Sequence, residues 1–403
     1  MKRVAITGLG IVSSLGIGRT QVSAALAAGR SGVALVPERK QRGFRSGLTG
    51  VVRDFIPPEI SKAYLRNMGQ GCQMMVVAAL QAVAEAGLDE SLLRSERTGV
   101  VSGSMGWSRE VHEQCVAFSQ GTKLGGAALQ RCMASSDSAN LSVLFGTQGP
   151  SWSVSAACAT GAVAIGQAAQ AIRLGQTERM ICGGGEEATW QTACHFDALR
   201  AFSVREDAPE RASRPFDAGR DGLVPSGGAG MLVLEEWEAA KARGARIIAE
   251  LTGFAMTSDG YDMTTPSGLG AVRCMRAALA DAGLGPADID YVNAHATSTL
   301  IGDRVESAGI REVFADGPAV SATKSMTGHE MGAAGSNELI YTLLMMEGGF
   351  VAPTINLDQL DEACTGLRIV ANQAAPLRIS TALSNSFGFG GVNACLVVKD
   401  AHP

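Results

Sequence analysis

The sequence predicts a layered α/β fold built from two related halves, on three observations. Short apolar strands alternate with amphipathic or alanine-rich helices along the chain. The composition is that of a buried core, with 46% hydrophobic and 18% charged residues in a chain of 403. A series of segments also recurs in the same order in both halves.

In chain order, residues 4–6 read as a strand, Gly8-Leu9-Gly10 as a turn and residues 21–28 as a helix. Residues 73–85 form a strongly amphipathic helix that should close at Gly87. Residues 99–102 are a short apolar strand, residues 162–174 an alanine-rich helix. Residues 179–182 form a strand ending in Gly183-Gly184-Gly185, and residues 230–234 another strand. The echo begins with residues 4–8 against 248–253. It continues with the helix ends Ala82–Leu88 against Ala278–Leu284, each followed by an apolar strand (99–102 and 291–293). Last, Cys158-Ala159-Thr160-Gly161 aligns with His329-Glu330-Met331-Gly332, each opening an alanine-rich helix. A duplicated fold would bring Cys158 and His329 to related places.

Composition excludes several functions. The net charge is −5 and no Lys/Arg block dominates, which argues against nucleic-acid binding. No apolar run reaches the ~18 residues of a membrane span. Met1-Lys2-Arg3 superficially resembles the start of a signal peptide, but Thr7, Gly8, Gly10, Ser13 and Ser14 interrupt the apolar run. Nine cysteines without regular spacing read as reduced thiols of a cytoplasmic protein. The 50 glycines follow no collagen period and serve turns and close packing.

Cys158 follows a strand and small residues and precedes a helix. A helix N-terminus favours the thiolate, so a lowered pKa and a nucleophilic role are expected; the other eight cysteines read as packing. Of five histidines, His402 is in the tail, and nothing around His112 or His195 indicates chemistry. His295 follows a predicted strand and His329 precedes a predicted helix, both among small and hydroxyl residues. No His-x-x-x-His or Cys-x-x-Cys spacing supports zinc. In Phe387-Gly388-Phe389-Gly390-Gly391, glycines around phenylalanines can aim an N–H into a cavity. The Lys-Ser/Thr of a phosphate loop is missing there, and Ser13 stands where a dinucleotide fingerprint needs its third glycine.

Together these residues resemble the elongating β-ketoacyl-[acyl-carrier-protein] synthases, types I and II, of the thiolase-like superfamily. The resemblance covers essentially the whole chain. It is carried by Ser-Ala-Ala-Cys158, His295-Ala-Thr-Ser-Thr299, Lys324-Ser-Met-Thr-Gly-His329 and Gly388-Phe-Gly-Gly391. Ala212-Ser-Arg-Pro-Phe-Asp217 with Arg220-Asp221-Gly222, and Thr257-Ser-Asp-Gly-Tyr-Asp-Met263, match as well. Phe196-Asp-Ala-Leu199 is closest to the synthase I branch.

The resemblance implies a thiolase-like fold, a duplicated five-layered αβαβα arrangement. Residues 1–247 would form the half carrying Cys158, and residues 248–403 the half carrying His295, Lys324 and His329. It implies decarboxylative Claisen condensation of a malonyl thioester with an acyl chain held on Cys158, in fatty-acid elongation. A specialised condensing enzyme of a polyene or secondary-lipid pathway, and a non-catalytic chain-length partner, are the alternatives. Cys158 argues against the latter. A degradative thiolase would need a second cysteine near the glycine loop, where only Cys395 of an apolar strand is found.

By the same resemblance the catalytic residues are Cys158, His295, His329 and Lys324, with Asp303, Glu306 and Glu338 in support and Glu338 pairing with Lys324. The oxyanion hole would be the backbone N–H groups of Cys158 and Phe389, each preorganised donor worth roughly 3–4 kcal/mol. Thr297 and Thr299 would contact the phosphopantetheine arm, and Phe387 to Gly391 would gate the pocket, with Met105, Trp107 and Phe196 lining it. No catalytic metal or redox cofactor is expected. Asn293, Glu306, Glu338, Ser384 and Asn385 match a monovalent-cation site. The implied partner is acyl carrier protein, docking on Arg45, Lys62 and Arg66, with Lys123 a further candidate, within a homodimer or a heterodimer with a homologous synthase.

Four positions depart from the family pattern: Ala296 for glycine, Leu300 for proline, Glu330 for serine or leucine, and Val392 for threonine. Ala296 and Leu300 would bear on the histidine loop, and Glu330 would add charge beside His329.

Overall fold

The fold is described from a computed structural model covering residues 1–315 and 317–401. His402 lies outside the described residues.

Ten strands carry the architecture: β1 (Val4–Ser13), β2 (Thr98–Gly103), β3 (Ser151–Val154), β4 (Arg179–Glu186), β5 (Gly228–Glu236), β6 (Ala249–Ser258), β7 (Tyr291–Asn293), β8 (Ala319–Ser321), β9 (Thr381–Gly388) and β10 (Val392–Asp400). In space the first five run β3-β2-β4-β5-β1 and the last five β8-β7-β9-β10-β6, the same order in each set. Directions repeat too. The pairs β2–β3 and β2–β4 are parallel, as are β7–β8 and β7–β9; β4–β5 and β5–β1 are antiparallel, as are β9–β10 and β10–β6. The two sets join edge to edge through β1 and β6, which pair over only Ala5–Glu250 and Ile6–Ala249. The sequence echo is therefore a repeated topology.

Five helices complete the layers: α1 (Gln70–Ala86), α2 (Thr160–Arg173), α3 (Leu269–Ala282), α4 (Leu300–Phe314) and α5 (Ala334–Gly348). Helices α2 and α5 pack on each other and touch strands of both sets, so they form the middle layer. Helix α1 covers the first set from outside; α3, with α4 against it, covers the second. This gives five layers, αβαβα. Three apolar clusters fill the spaces between, the largest lying around α2 and α5. Close approach in the middle layer needs glycine. A Cβ on Gly161 would come within 2.7 Å of the Ser336 backbone N, and one on Gly335 within 2.7 Å of that of Ala162.

Two local expectations change. Gly8-Leu9-Gly10 is not a turn: β1 runs through it to Ser13, bulged between Ile6 and Gly8. The glycines let α1 lie on the strand, since a Cβ on Gly10 would meet the Ala78 carbonyl oxygen at 1.9 Å. Likewise β4 continues through Gly183-Gly184-Gly185 to Glu186. The paired helix ends behave as expected: α1 closes at Gly87 and α3 at Gly283, both left-handed. No helix among the described residues is long and apolar enough to cross a membrane.

Candidate active site

The duplicated topology brings the starts of α2 and α5 together, and with them Cys158 and His329. Cys158, His295 and His329 line one cavity of about 430 Å³, along with Thr297, Thr299 and Phe387 to Phe389.

Cys158 sits on a tight turn between β3 and α2. Ala157 adopts φ +48°, a strained value for a residue with a side chain. Thr160 holds the turn: its Oγ1 accepts the Ala156 N–H at 2.8 Å and donates to the Ala157 carbonyl at 2.7 Å. The glycine loop lies against this turn, so a Cβ on Gly388 would come within 2.9 Å of the Ala156 carbonyl oxygen and 3.2 Å of the Cys158 backbone N. The expectation of a lowered thiol pKa is overturned. Burial pushes the Cys158 thiol up to about 12, against the Lys324 charge and the backbone N–H groups of Phe389 and Cys158. Because Cys158 is buried, desolvation outweighs these favourable groups.

His295 follows β7 in a turn built around two carboxylates. Glu306, on α4, accepts the backbone N–H groups of His295 and Ala296 at 2.8 and 2.6 Å, and Asn385 Nδ2 at 3.0 Å. Asp303 accepts the Ser298 N–H at 3.1 Å and that of Phe216 at 3.0 Å. Burial raises both acids, to about 7 for Glu306 and about 6 for Asp303. Ala296 packs in the apolar cluster under α3 and α4, where glycine is not required. Leu300 opens α4, half exposed at the cavity mouth.

His329 is fixed by its backbone, donating to the Val224 carbonyl at 2.7 Å and accepting from the Ser226 N–H at 2.8 Å. Burial drives both histidines well below their ordinary pKa, with the Lys324 charge adding to it. Both are therefore neutral near pH 7. Neither ring nitrogen of His329, nor Nδ1 of His295, has a hydrogen-bond partner within the protein. Lys324 is fully buried and bonds both Glu338 oxygens at 2.6 Å.

The glycine loop reaches the cavity from β9. Phe389 stacks on Phe196 with ring centroids 5.7 Å apart, and Gly390 donates to the Met263 carbonyl at 2.8 Å. Gly390 and Gly391 take φ +81° and +77°, which a side chain would resist. Thr297 and Thr299 face each other with hydroxyl oxygens 3.1 Å apart. Of the three expected lining residues only Phe196 lines the cavity; Trp107 packs under α1 and Met105 beside Phe196. Glu330 does not put a charge on His329. It turns into the core, and burial raises it to about 8.

Arg220 is a supporting residue that the sequence reading left without a role. Fully buried, it donates to the Thr299 and Leu300 carbonyls at 3.0 and 2.8 Å and lies 3.4 Å from Asp303. Its signal was the Arg220-Asp221-Gly222 match, which marks an arginine but not its target.

The five cation-site residues form a connected buried set. Asn293 and Ser384 are register partners on β7 and β9, Asn385 reaches Glu306, and Thr323 at 3.2 Å links Glu338 back to this group. Ser384 Oγ has no partner, and the set is all oxygen donors apart from amide nitrogens, which suits a hard cation. Among the described residues no group of three His, Cys, Asp or Glu could hold a metal ion. Arg45, Lys62 and Arg66 are exposed, as is Lys123.

Comparison with known proteins gives the family of the chain. Residues 1–240 match the family described as beta-ketoacyl synthase, N-terminal domain, and residues 248–358 its C-terminal domain. The chain is 47% identical to 3-oxoacyl-[acyl-carrier-protein] synthase 1 of Escherichia coli (strain K12), over 99% of each chain. A crystal structure of a beta-ketoacyl synthase from Burkholderia phymatum superposes with a TM-score of 0.96 at 37% identity, covering 100% of both chains. A type II polyketide ketosynthase, solved with its acyl-carrier protein and a bound hexaketide, superposes at 0.91 with 32% identity over 99% of this chain and 100% of that one. The chain belongs to the beta-ketoacyl synthase family.

Proposed function

We propose that this chain elongates acyl chains carried on acyl carrier protein, with Cys158 as the acyl acceptor and His295 and His329 as the decarboxylation pair. The single observation behind it is the convergence of a buried cysteine and two neutral, unpartnered histidines on one cavity. The Cys158 sulfur attacks the carrier thioester and takes the acyl group, and the thiol proton ends on the departing carrier thiol. Malonyl thioester then enters and loses carbon dioxide, leaving an enolate. Neutral His295 and His329 each donate an N–H to its oxygen. The enolate carbon attacks the acyl-Cys158 carbonyl, whose oxyanion is held by the Cys158 and Phe389 N–H groups. Collapse releases the β-ketoacyl carrier and the Cys158 thiolate, which is reprotonated. Atoms and electrons balance without a redox or metal cofactor.

Lys324 supplies fixed positive charge that disfavours histidinium, with Glu338 as its buried counter-charge. Asp303, Glu306 and Arg220 hold the His295 turn. Asn293, Glu306, Glu338, Ser384 and Asn385 would hold a monovalent cation that braces this framework. Thr297 and Thr299 would bind the phosphopantetheine arm, and residues 387–391 would gate the mouth. Arg45, Lys62 and Arg66 would meet the acidic carrier. Residues 1–247 and 248–403 would be the two halves of a homodimer subunit; the open edge at β3 supports pairing of two copies. Nine free cysteines support a reducing, cytoplasmic setting. The test is Cys158→Ala with acyl- and malonyl-carrier protein: condensation should vanish, and elongation at the wild-type rate would overturn the reading.

A further inference from the structure

Glu330 stands between His329 and the helix that follows it, in a place the proposed mechanism does not use. It is 1% exposed. Its Oε1 accepts from Asn337 Nδ2 at 2.8 Å, and the Tyr341 hydroxyl donates to the same oxygen at 2.9 Å. Both partners lie on α5, one and two turns beyond its start. The Tyr341 and Ser13 hydroxyl oxygens are 2.6 Å apart, so the cluster also reaches the end of β1. Gly228 on β5 closes the remaining side: a Cβ there would come within 3.2 Å of Glu330 Oε1. The next residue, Met331, holds φ +49°, a strained conformation that persists only where its surroundings fix it.

We propose that Glu330 is a positioning residue for His329, pinning the strained histidine turn to the Asn337 and Tyr341 side of α5. This rests on the role proposed for His329 above. The Tyr341 hydroxyl donates its one proton to Glu330, and Ser13, which accepts the Leu15 N–H at 3.2 Å, is left to donate to Tyr341. Burial, which raises Glu330 to about 8, keeps it largely neutral near pH 7. The other titratable groups around it are Tyr341, raised by burial; Glu338 on α5, paired with Lys324; and Glu186 on β4, which accepts the Met105 N–H at 2.8 Å. The buried Lys324 ammonium pairs with Glu338 and not with Glu330. Ionised Glu330 is thus a buried charge with hydrogen-bond donors but no counter-cation, a costlier state for the turn than the neutral carboxyl.

The full-length protein would be compared with Glu330→Gln and Glu330→Ala in two assays: decarboxylation of malonyl-carrier protein and acyl transfer to Cys158. Glu330→Ala should slow decarboxylation about ten-fold or more while acyl transfer stays within about two-fold. Glu330→Gln should recover most of the decarboxylation at neutral pH and lose the wild-type fall in rate above about pH 8. Wild-type decarboxylation in Glu330→Ala, an equal fall in both half-reactions, or an unchanged alkaline fall in Glu330→Gln would each overturn the proposal. Should Glu330→Ala fail to fold, the pH profile of Glu330→Gln decides alone. A wild-type protein that decarboxylates no malonyl-carrier protein would instead overturn the parent reading of His329.

Discussion

The rings of His295 and His329 meet edge to face, with centroids 5.3 Å apart and planes at 87°. They come from different secondary-structure contexts, the end of β7 and the entry to α5. Such a pair can serve one oxygen from two directions only while both rings are neutral, since two imidazolium rings at this distance would repel. Burial and the Lys324 charge keep them so.

His295→Ala or His329→Ala should each cut malonyl decarboxylation by about two to three orders of magnitude, the scale of a lost oxyanion donor. Acyl transfer to Cys158 should largely survive. The pH sign follows from the lowered pKa: the histidines stay neutral below the ordinary 6.5, so decarboxylation should hold at about pH 6 instead of titrating away there. Single-turnover assays of each half-reaction would check both points, and equal loss of the two would contradict the division of labour.

The resting state of Cys158 is also measurable. With the thiol at about 12, alkylation by iodoacetamide should keep accelerating through about pH 10 without a plateau. A plateau near neutral pH would mean that the helix start and Lys324 outweigh burial.

The Lys324–Glu338 pair is buried on both sides, so removing one partner strands a charge in the core. Glu338→Ala should destabilise the fold by about 3–5 kcal/mol, more than the double replacement Lys324→Met with Glu338→Leu. Denaturant unfolding of the two variants gives the comparison.

If Lys62 and Arg66 meet the carrier, reversing both charges should raise the KM for carrier-bound substrate, with the rise shrinking at high salt. Small thioester analogues should be affected less. An unchanged carrier KM would remove these residues from the docking surface.

Much of this was legible in the residues. The repeat was visible because each helix ends Ala-Gly-Leu before an apolar strand, and Cys158 stood out through its strand-turn-helix setting. Gly8 and Gly10 misled, because glycine for close helix packing looks like glycine for a turn until the helix partner is known. The Cys158 pKa misled for a similar reason: the helix start is local and readable, whereas burial is set by chain segments hundreds of residues away. Arg220 was visible as part of a motif, but its carbonyl partners, Thr299 and Leu300, come from the other half.

A buried acid raised on folding contributes less to stability as pH rises. Glu186 is raised from 4.5 to about 8, chiefly by burial. A carboxyl raised on folding favours the folded state fully below its unfolded pKa, and that contribution is lost as pH rises through the folded value. Over this interval each pH unit costs up to about 1.4 kcal/mol for such a group, so Glu186 alone would remove roughly 4 kcal/mol between about pH 4.5 and pH 8. His295 and His329, held neutral by burial, work the other way only below their unfolded pKa of 6.5, so the Tm should drop most clearly between about pH 6.5 and about pH 8. Glu186→Gln, which can still accept the Met105 N–H, should flatten that slope and be more stable than wild type on the alkaline side. Calorimetry of both proteins across this range tests it, and parallel slopes would show that Glu186 is ionised already at low pH.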